Sequence, residues 1–514
     1  MTTGQPVPWA SVPTDDQVGF CARVIDDSGV AERFEALLAR PTGRPRTLSV
    51  RALLVALFVL AVDDRPLHLT AATDLLCFGL SDNARVVLGV PSAPQRTTRA
   101  FLAAYRRVRY LFSRLRAVCG PGLVEAAVAD LVMASVRVAS EEELSGFSGS
   151  VGLDATPVPL WSRGPSGSTG RRASDPDGGW YVRQGDHREA TGPTGKALGK
   201  LFWALEATIV TMGRGPGVTP AHPNLAIGVV LGRPGEDPAG TGVRVLARVR
   251  EQGFGAGMLG ADRGYTQGRP ERFHLPVKAL GYSLVMDYKE GDLGRQGSSQ
   301  GAMLVDGAFY CPAMPEALVT ATAERRAGRI DESTFGARLA ARAPFRLVKK
   351  EGPDQDGYER FACPAQGERP HLGCPLRPTT ASPGKIPVLS PPATPPKICT
   401  QTAVTIAPDV GARFRQDLTY GTETWRSAYA SYRNTIEGTN GFLKDPAHEA
   451  LGQPGRRRVR GLVAQSLFVA FLVMAANTRK IASFRQLMVD GAAPRVLERA
   501  RRRRISLADY RPPS

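Results

Sequence analysis

The chain has 514 residues, 42% apolar and 22% charged, a balance that excludes general disorder and suits roughly two to four domains. Its formal net charge of +18 points to a polyanionic partner, meaning nucleic acid or an anionic surface. Seven cysteines, with no basic-then-apolar leader pattern in residues 1–15, argue against a secreted disulfide framework and set the expectation of a cytoplasmic protein.

Residues 1–145 read as wholly helical. The segment 49–62 is a buried helix, 69–80 an amphipathic one, and 89–95 a proline-rich turn. Residues 97–118 place Phe101, Tyr105, Val108, Phe112 and Leu115 at a helical period. The opposite face carries Arg99, Arg106, Arg107, Arg109, Arg114 and Arg116. A basic amphipathic helix following shorter ones suits a DNA groove, which makes Arg106 and Arg107 candidate DNA contacts. The plain alternative is a solvated arginine face.

From residue 148 the pattern turns to strands. Val151-Gly152-Leu153-Asp154-Ala155-Thr156-Pro157-Val158 is a short apolar run closed by Pro157, which reads as a buried strand with Asp154 at its C-terminal end. Residues 162–200 are too rich in Gly, Ser and Arg to pack and read as a surface loop. Its Asp175, Asp177, Asp186 and His187 lack ligand spacing and read as solvated. Strands follow at 203–212 and 225–231, then a short helix at 242–252. Met258-Leu259-Gly260-Ala261-Asp262-Arg263-Gly264-Tyr265 is a second apolar run ending in a carboxylate. A further strand covers 282–288. Carboxylates at the ends of neighbouring strands sit where open sheets bind ligands.

Residues 289–415 interrupt this pattern, and ten prolines between Pro364 and Pro396 leave no room there for a regular element. The stretch holds Cys311, Cys363, Cys374 and Cys399, three of them followed by proline. Four thiols could hold a structural Zn²⁺ tetrahedrally, with His371 as a substitute ligand. The usual closely spaced pairs are missing, and unliganded thiols are the alternative.

A helical rhythm resumes near Trp425. Arg433, Glu437, Asn440 and Lys444 fall at i, i+4, i+7 and i+11 and share a face, while Ile436, Thr439 and Leu443 point to a core. The bland reading is an exposed helix with one ion pair. Arg456, Arg457, Arg458 and Arg460 then form a basic turn. The apolar helix at 461–476 is shorter than the ~20 residues of a membrane span, so it reads as core. From 492 the tail is arginine-rich, with Arg501 to Arg504 suited to nonspecific phosphate contact.

The series Asp…Asp-Arg-Gly-Tyr…Arg-x-x-x-Glu-x-x-x-x-x-x-Lys resembles the DDE transposases of the insertion-sequence-four type, over about residues 146–288 and 416–480. The resemblance implies an α/β fold, a ribonuclease H-like mixed sheet flanked by helices. It divides the chain into a helical DNA-binding region (1–145), a core in two parts (146–288 and 416–485), an insertion (289–415) and a basic tail (486–514). Asp154, Asp262 and Glu437 match the family's metal triad for two Mg²⁺ or Mn²⁺ ions, Asp154 sharing one with Asp262 and the other with Glu437. Arg433 and Lys444 match its phosphate-holding cations, and Asn440, Arg456, Arg457 and Arg458 join them as candidate DNA contacts. Ala430 stands where the family carries a tyrosine, bracketed by Tyr429 and Tyr432. The implied activity is cleavage of double-stranded DNA at element ends followed by strand transfer, by a homodimer. The competing readings are a catalytically inactive DNA-binding relative and a nuclease without the transfer step.

Overall fold

The computed structural model describes residues 12–489 apart from 40–45, 168, 184–199, 215–220, 267, 368 and 378–384. Its central sheet contains β1 (Val151–Pro159), β2 (Gly179–Arg183), β3 (Lys200–Met212), β4 (Ala226–Gly232), β5 (Met258–Ala261) and β6 (Ser283–Val285). β3 runs antiparallel to β1 on one side and to β4 and β2 on the other. β1, β5 and β6 are mutually parallel. Across the middle of the sheet the order is β4-β3-β1-β5-β6. The crossover from β4 to β5 is the helix Pro238–Glu251, started by Pro238 and by Asp237, whose carboxylate accepts from Gly240 N at 3.0 Å.

The described N-terminal residues are helical, as the sequence suggests, but they do not close a core of their own. Leu53, Phe58, Phe112 and Leu131 pack in one cluster with Val158, Ile209 and Leu231 of the sheet and with Phe468 and Phe471. The last two belong to the helix Leu462–Val489, which is apolar almost all round because protein surrounds it. Among the described residues this is the one helix long and apolar enough to cross a membrane, and 78% of its apolar window is buried inside the protein. It outruns the 461–476 expected, because its charged continuation finds partners. Arg479 pairs with Asp64 and Glu449, and Lys480 donates to Thr439 Oγ1 at 3.0 Å.

Residues 162–200 are not simply a loop. β2 pairs with the first half of β3, and Trp180 meets Trp203 edge-on with ring centroids 5.4 Å apart. Asp175 is 1% exposed rather than solvated. Its carboxylate accepts from Gly461 N at 2.9 Å, and that of Asp177 from Leu462 N at 2.7 Å, so both acids satisfy amides at the start of the long helix. Asp186 and His187 lie outside the described residues, as do Arg501 to Arg504.

The insertion begins with a meander of β7 (Arg295–Ser299), β8 (Ala302–Val305) and β9 (Ala308–Tyr310). A second small sheet joins β10 (Val348–Glu351) and β11 (Glu359–Ala362) to β14 (Val404–Ile406). Between β11 and β14 the described residues of the proline-dense stretch form the two-residue strands β12 (Leu372–Gly373) and β13 (Ile386–Pro387), followed by the one-turn helix Lys397–Thr400. A fully buried ion pair anchors the first half, Arg342 Nη1 to Asp306 Oδ2 at 2.6 Å, with Thr322 donating to the same carboxylate.

Candidate active site

Parallel pairing of β1 with β5 ends at Leu153 opposite Ala261, and the next residue on each strand is an aspartate. Asp154 is therefore not at the end of β1, which runs on beside β3 as far as Pro159. It is the first residue to lose its neighbour on the β5 side. Pro157, without an amide hydrogen, is tolerated on a stretch paired along one edge only.

Two glycines in register, Gly152 and Gly260, precede the two aspartates by two residues and so share their face of the sheet. The helix Glu423–Lys444 docks on that bare backbone. A Cβ on Gly260 would lie 2.5 Å from Tyr432 Cβ, and one on Gly152 would lie 3.1 Å from Tyr432 O. Thr422 caps the helix, accepting from Trp425 N at 3.3 Å. Tyr432, Ile436, Thr439 and Leu443 form its buried side, as the apolar spacing suggests.

This docking makes Asp154, Asp262, Tyr429, Arg433, Ile436 and Glu437 the lining of a single cleft. Its accessible volume is about 40 Å³, space for a few waters or ions and nothing larger. Burial pushes the Asp154 carboxyl up to about 6. The charges of Asp262 and Glu437 push the same way, against the Ala155 amide and Lys444. Arg433 Nε donates to Glu437 Oε1 at 2.8 Å, with both side chains about half exposed. Glu437 and then Tyr429 hold the guanidinium charged. Asn440 is buried rather than exposed, and its Nδ2 donates to Asp154 Oδ2 at 3.0 Å. Half-buried Lys444 acts on Asp154 through its charge.

Tyr429 is the lining residue that spacing left unassigned. It stacks on Trp425 with centroids 5.1 Å apart, whereas Tyr432 is 1% exposed in the core. The signal was available, since Tyr429, Arg433 and Glu437 follow one another at i+4.

The basic turn divides against expectation. Arg456 and Arg457 are 7% and 1% exposed and serve the fold. Arg456 donates to Asp64 O, and Arg457 to Leu451 O at 2.9 Å and Gln465 Oε1 at 3.3 Å, because this turn ties the N-terminal helices to the rest. Only Arg458 of the three is exposed, 4.2 Å above the Trp161 ring. Arg106 and Arg107 are exposed on the helix Thr98–Val118. The four insertion cysteines are buried outside the cleft.

Among the described residues no three His, Cys, Asp or Glu side chains already stand in a metal-holding arrangement. Each cleft acid accepts from a protein donor instead: Asp154 from Ala155 N and Asn440, Asp262 from Arg263 N at 2.7 Å, and Glu437 from Arg433. The donor set nevertheless fits a hard divalent cation, being all oxygen and mutually repelling, with Asn440 Oδ1 buried beside it and lacking a hydrogen-bond partner. Compared with protein-family models, curated proteins and solved structures, the chain matches none.

Proposed function

We propose that the chain is a DDE transposase that cleaves DNA at the ends of a mobile element and joins them to target DNA. The observation that carries this reading is the convergence of three acids, from segments 108 and 175 residues apart in sequence, on one small cleft flanked by Arg433 and Lys444. The sheet supports it as well. Three antiparallel strands followed by two parallel ones, in the order β4-β3-β1-β5-β6, is the arrangement expected of a ribonuclease H-like core.

Asp154 and Asp262 would hold one Mg²⁺ or Mn²⁺, and Asp154 and Glu437 a second. When bound, the metals would supply Lewis-acid activation of the attacking oxygen and neutralise charge on the leaving one. The chain's own part is positioning. Asn440 fixes one oxygen of Asp154, leaving that carboxylate a single orientation. Arg433, paired with Glu437 at the half-exposed rim, would hold a DNA phosphate there. Tyr429 keeps its guanidinium over the cleft. No protein nucleophile is required, because in-line displacement at phosphorus rests on orientation and electrostatics.

The test is supercoiled plasmid incubated with the protein and Mg²⁺. Nicking is expected, with at least a hundredfold loss in Asp262→Ala at unchanged folding. Oligonucleotide ends carrying a 3′-hydroxyl should then be joined to plasmid. Nicking without joining would assign a nuclease, and equal nicking by Asp262→Ala would overturn the site.

A further inference from the structure

The seven cysteines fall into two kinds. Cys21, Cys77 and Cys119 are scattered in the helical part, and no other cysteine acts on them electrostatically. They behave as small apolar side chains. The other four converge, although the sequence spreads them over 89 positions. Cys311, Cys363 and Cys374 belong to one packed cluster, and Leu376 bridges it to the cluster that holds Cys399. Each of Cys311, Cys363 and Cys399 feels the charge of at least one of the other cysteines, and between them these interactions link all four.

Their local backbone repeats. Cys311-Pro312-Ala313-Met314, Cys363-Pro364-Ala365-Gln366 and Cys374-Pro375-Leu376-Arg377 each turn back, the fourth residue's amide donating to the cysteine carbonyl at 3.0, 3.0 and 2.8 Å. Burial pushes the thiols up, Cys311 to about 12 and Cys399 to about 11, and in the first two turns the amide of the third residue opposes this by donating to the sulfur, at Cys311 and Cys363. An amide aimed at sulfur favours thiolate over thiol, which an inert core cysteine has no use for. The positive charge of Arg377 acts in the same sense on Cys363 and Cys399. His371, the other candidate ligand, is exposed.

The sheets explain how distant turns meet. Leu347 N donates to Phe309 O and Cys311 N to Phe345 O, so the end of β9 lies against residues 345–347. β10 follows directly and pairs Val348 with Ala362, which brings Cys363 alongside. Cys374 follows β12, and Cys399 sits on the one-turn helix that leads to β14. Among the described residues of the insertion's proline-dense half, the strands are two residues long.

We infer that Cys311, Cys363, Cys374 and Cys399 form a structural zinc site that ties the turns of the insertion together. Each thiol gives its proton to solvent as its sulfur binds, so one Zn²⁺ replaces four protons. Among the described residues no three of these side chains already stand in a metal-holding arrangement. Closing the site asks that Cys311, Cys363 and Cys374 of one packed cluster and Cys399 of the neighbouring one, joined to it by Leu376, draw inward.

Zinc binding here does not depend on the transposase reading. The full-length protein, expressed with zinc and purified without chelators, is expected to carry about one zinc per chain by elemental analysis. The double variant Cys363→Ser, Cys374→Ser should fall to near zero. Cys119→Ser and Asp262→Ala should keep their zinc whether or not the protein cuts DNA. If the double variant does not fold, wild-type protein exchanged with Co²⁺ serves instead, and the intense visible bands of tetrahedral cobalt–thiolate are expected. Metal-free wild type with all seven thiols open to a thiol reagent after unfolding would overturn the inference. So would an intact mass two hydrogens low for each disulfide formed.

Discussion

Asp154 carries the largest electrostatic cost in the cleft. Its carboxyl sits near 6 rather than the ordinary 3.8, so between those values the folded chain holds a proton that the unfolded chain releases. Stability from this group is complete below pH 4 and is lost as pH rises to about 6, a cost of about 3 kcal/mol at neutral pH for the metal-free protein. Asp154→Asn keeps an acceptor for Asn440 and removes that cost. In chelator at pH 7.5 it should unfold at higher urea than wild type, with the difference vanishing near pH 4. Added Mg²⁺ should stabilise wild type only. A difference that does not vary with pH would mean that Asp154 is not desolvated as described. The same scale separates Arg457, buried and bonded to Leu451, from Arg458, exposed over Trp161. Adjacent arginines in a basic run thus do different work.

The helix Glu423–Lys444 depends on where it lies more than on its own propensity. Gly438 and Gly441 face solvent, with nothing within 4 Å of where an alanine methyl would stand, whereas Gly260 lies under Tyr432. The two kinds of glycine should therefore respond oppositely to alanine. Gly438→Ala adds helix propensity and should stabilise by about 0.5–1 kcal/mol. Gly260→Ala forces the helix off β5 and should cost about 1–3 kcal/mol, with plasmid nicking lost in the fraction that remains folded. Denaturant titration of both variants, read beside nicking, distinguishes a seat for the Glu437 helix from a glycine that merely bends the strand.

Over the whole molecule, one apolar cluster joins the N-terminal helices, the face of the sheet that carries Asp154 and the helix Leu462–Val489. Asn477 sits inside it, donating to Ser135 Oγ and Ala226 O and accepting from Ala226 N, and so ties helix to helix and helix to β4. The arginine face of Thr98–Val118 therefore belongs to a helix that shares this core with the sheet that carries the cleft. If that face holds duplex DNA, neutralising Arg106 and Arg107 together should weaken binding at all sequences alike. It should also lower the slope of log K against log salt by roughly 1.8, as expected for two phosphate contacts. Binding measured across a range of salt concentrations reads that slope, and an unchanged slope would place the duplex elsewhere.

Periodicity and composition alone marked the helical first part, most strands of the sheet, the interruption after residue 288 and the buried face of the Glu437 helix. These are local properties, set by which neighbours along the chain can share a face. Even the seat for that helix was written twice, as Gly152-Leu153-Asp154 and Gly260-Ala261-Asp262. What was not legible depends on partners far away in the chain. Asp175 looks like a loop acid until the amide of Gly461 arrives, Arg457 looks like a DNA contact until Leu451 and Gln465 enclose it, and the four cysteines have no close spacing until two small sheets fold them inward. Burial and pairing are properties of three-dimensional neighbourhoods, and no one-dimensional pattern encodes which distant group will take up a charge, an amide or a thiol.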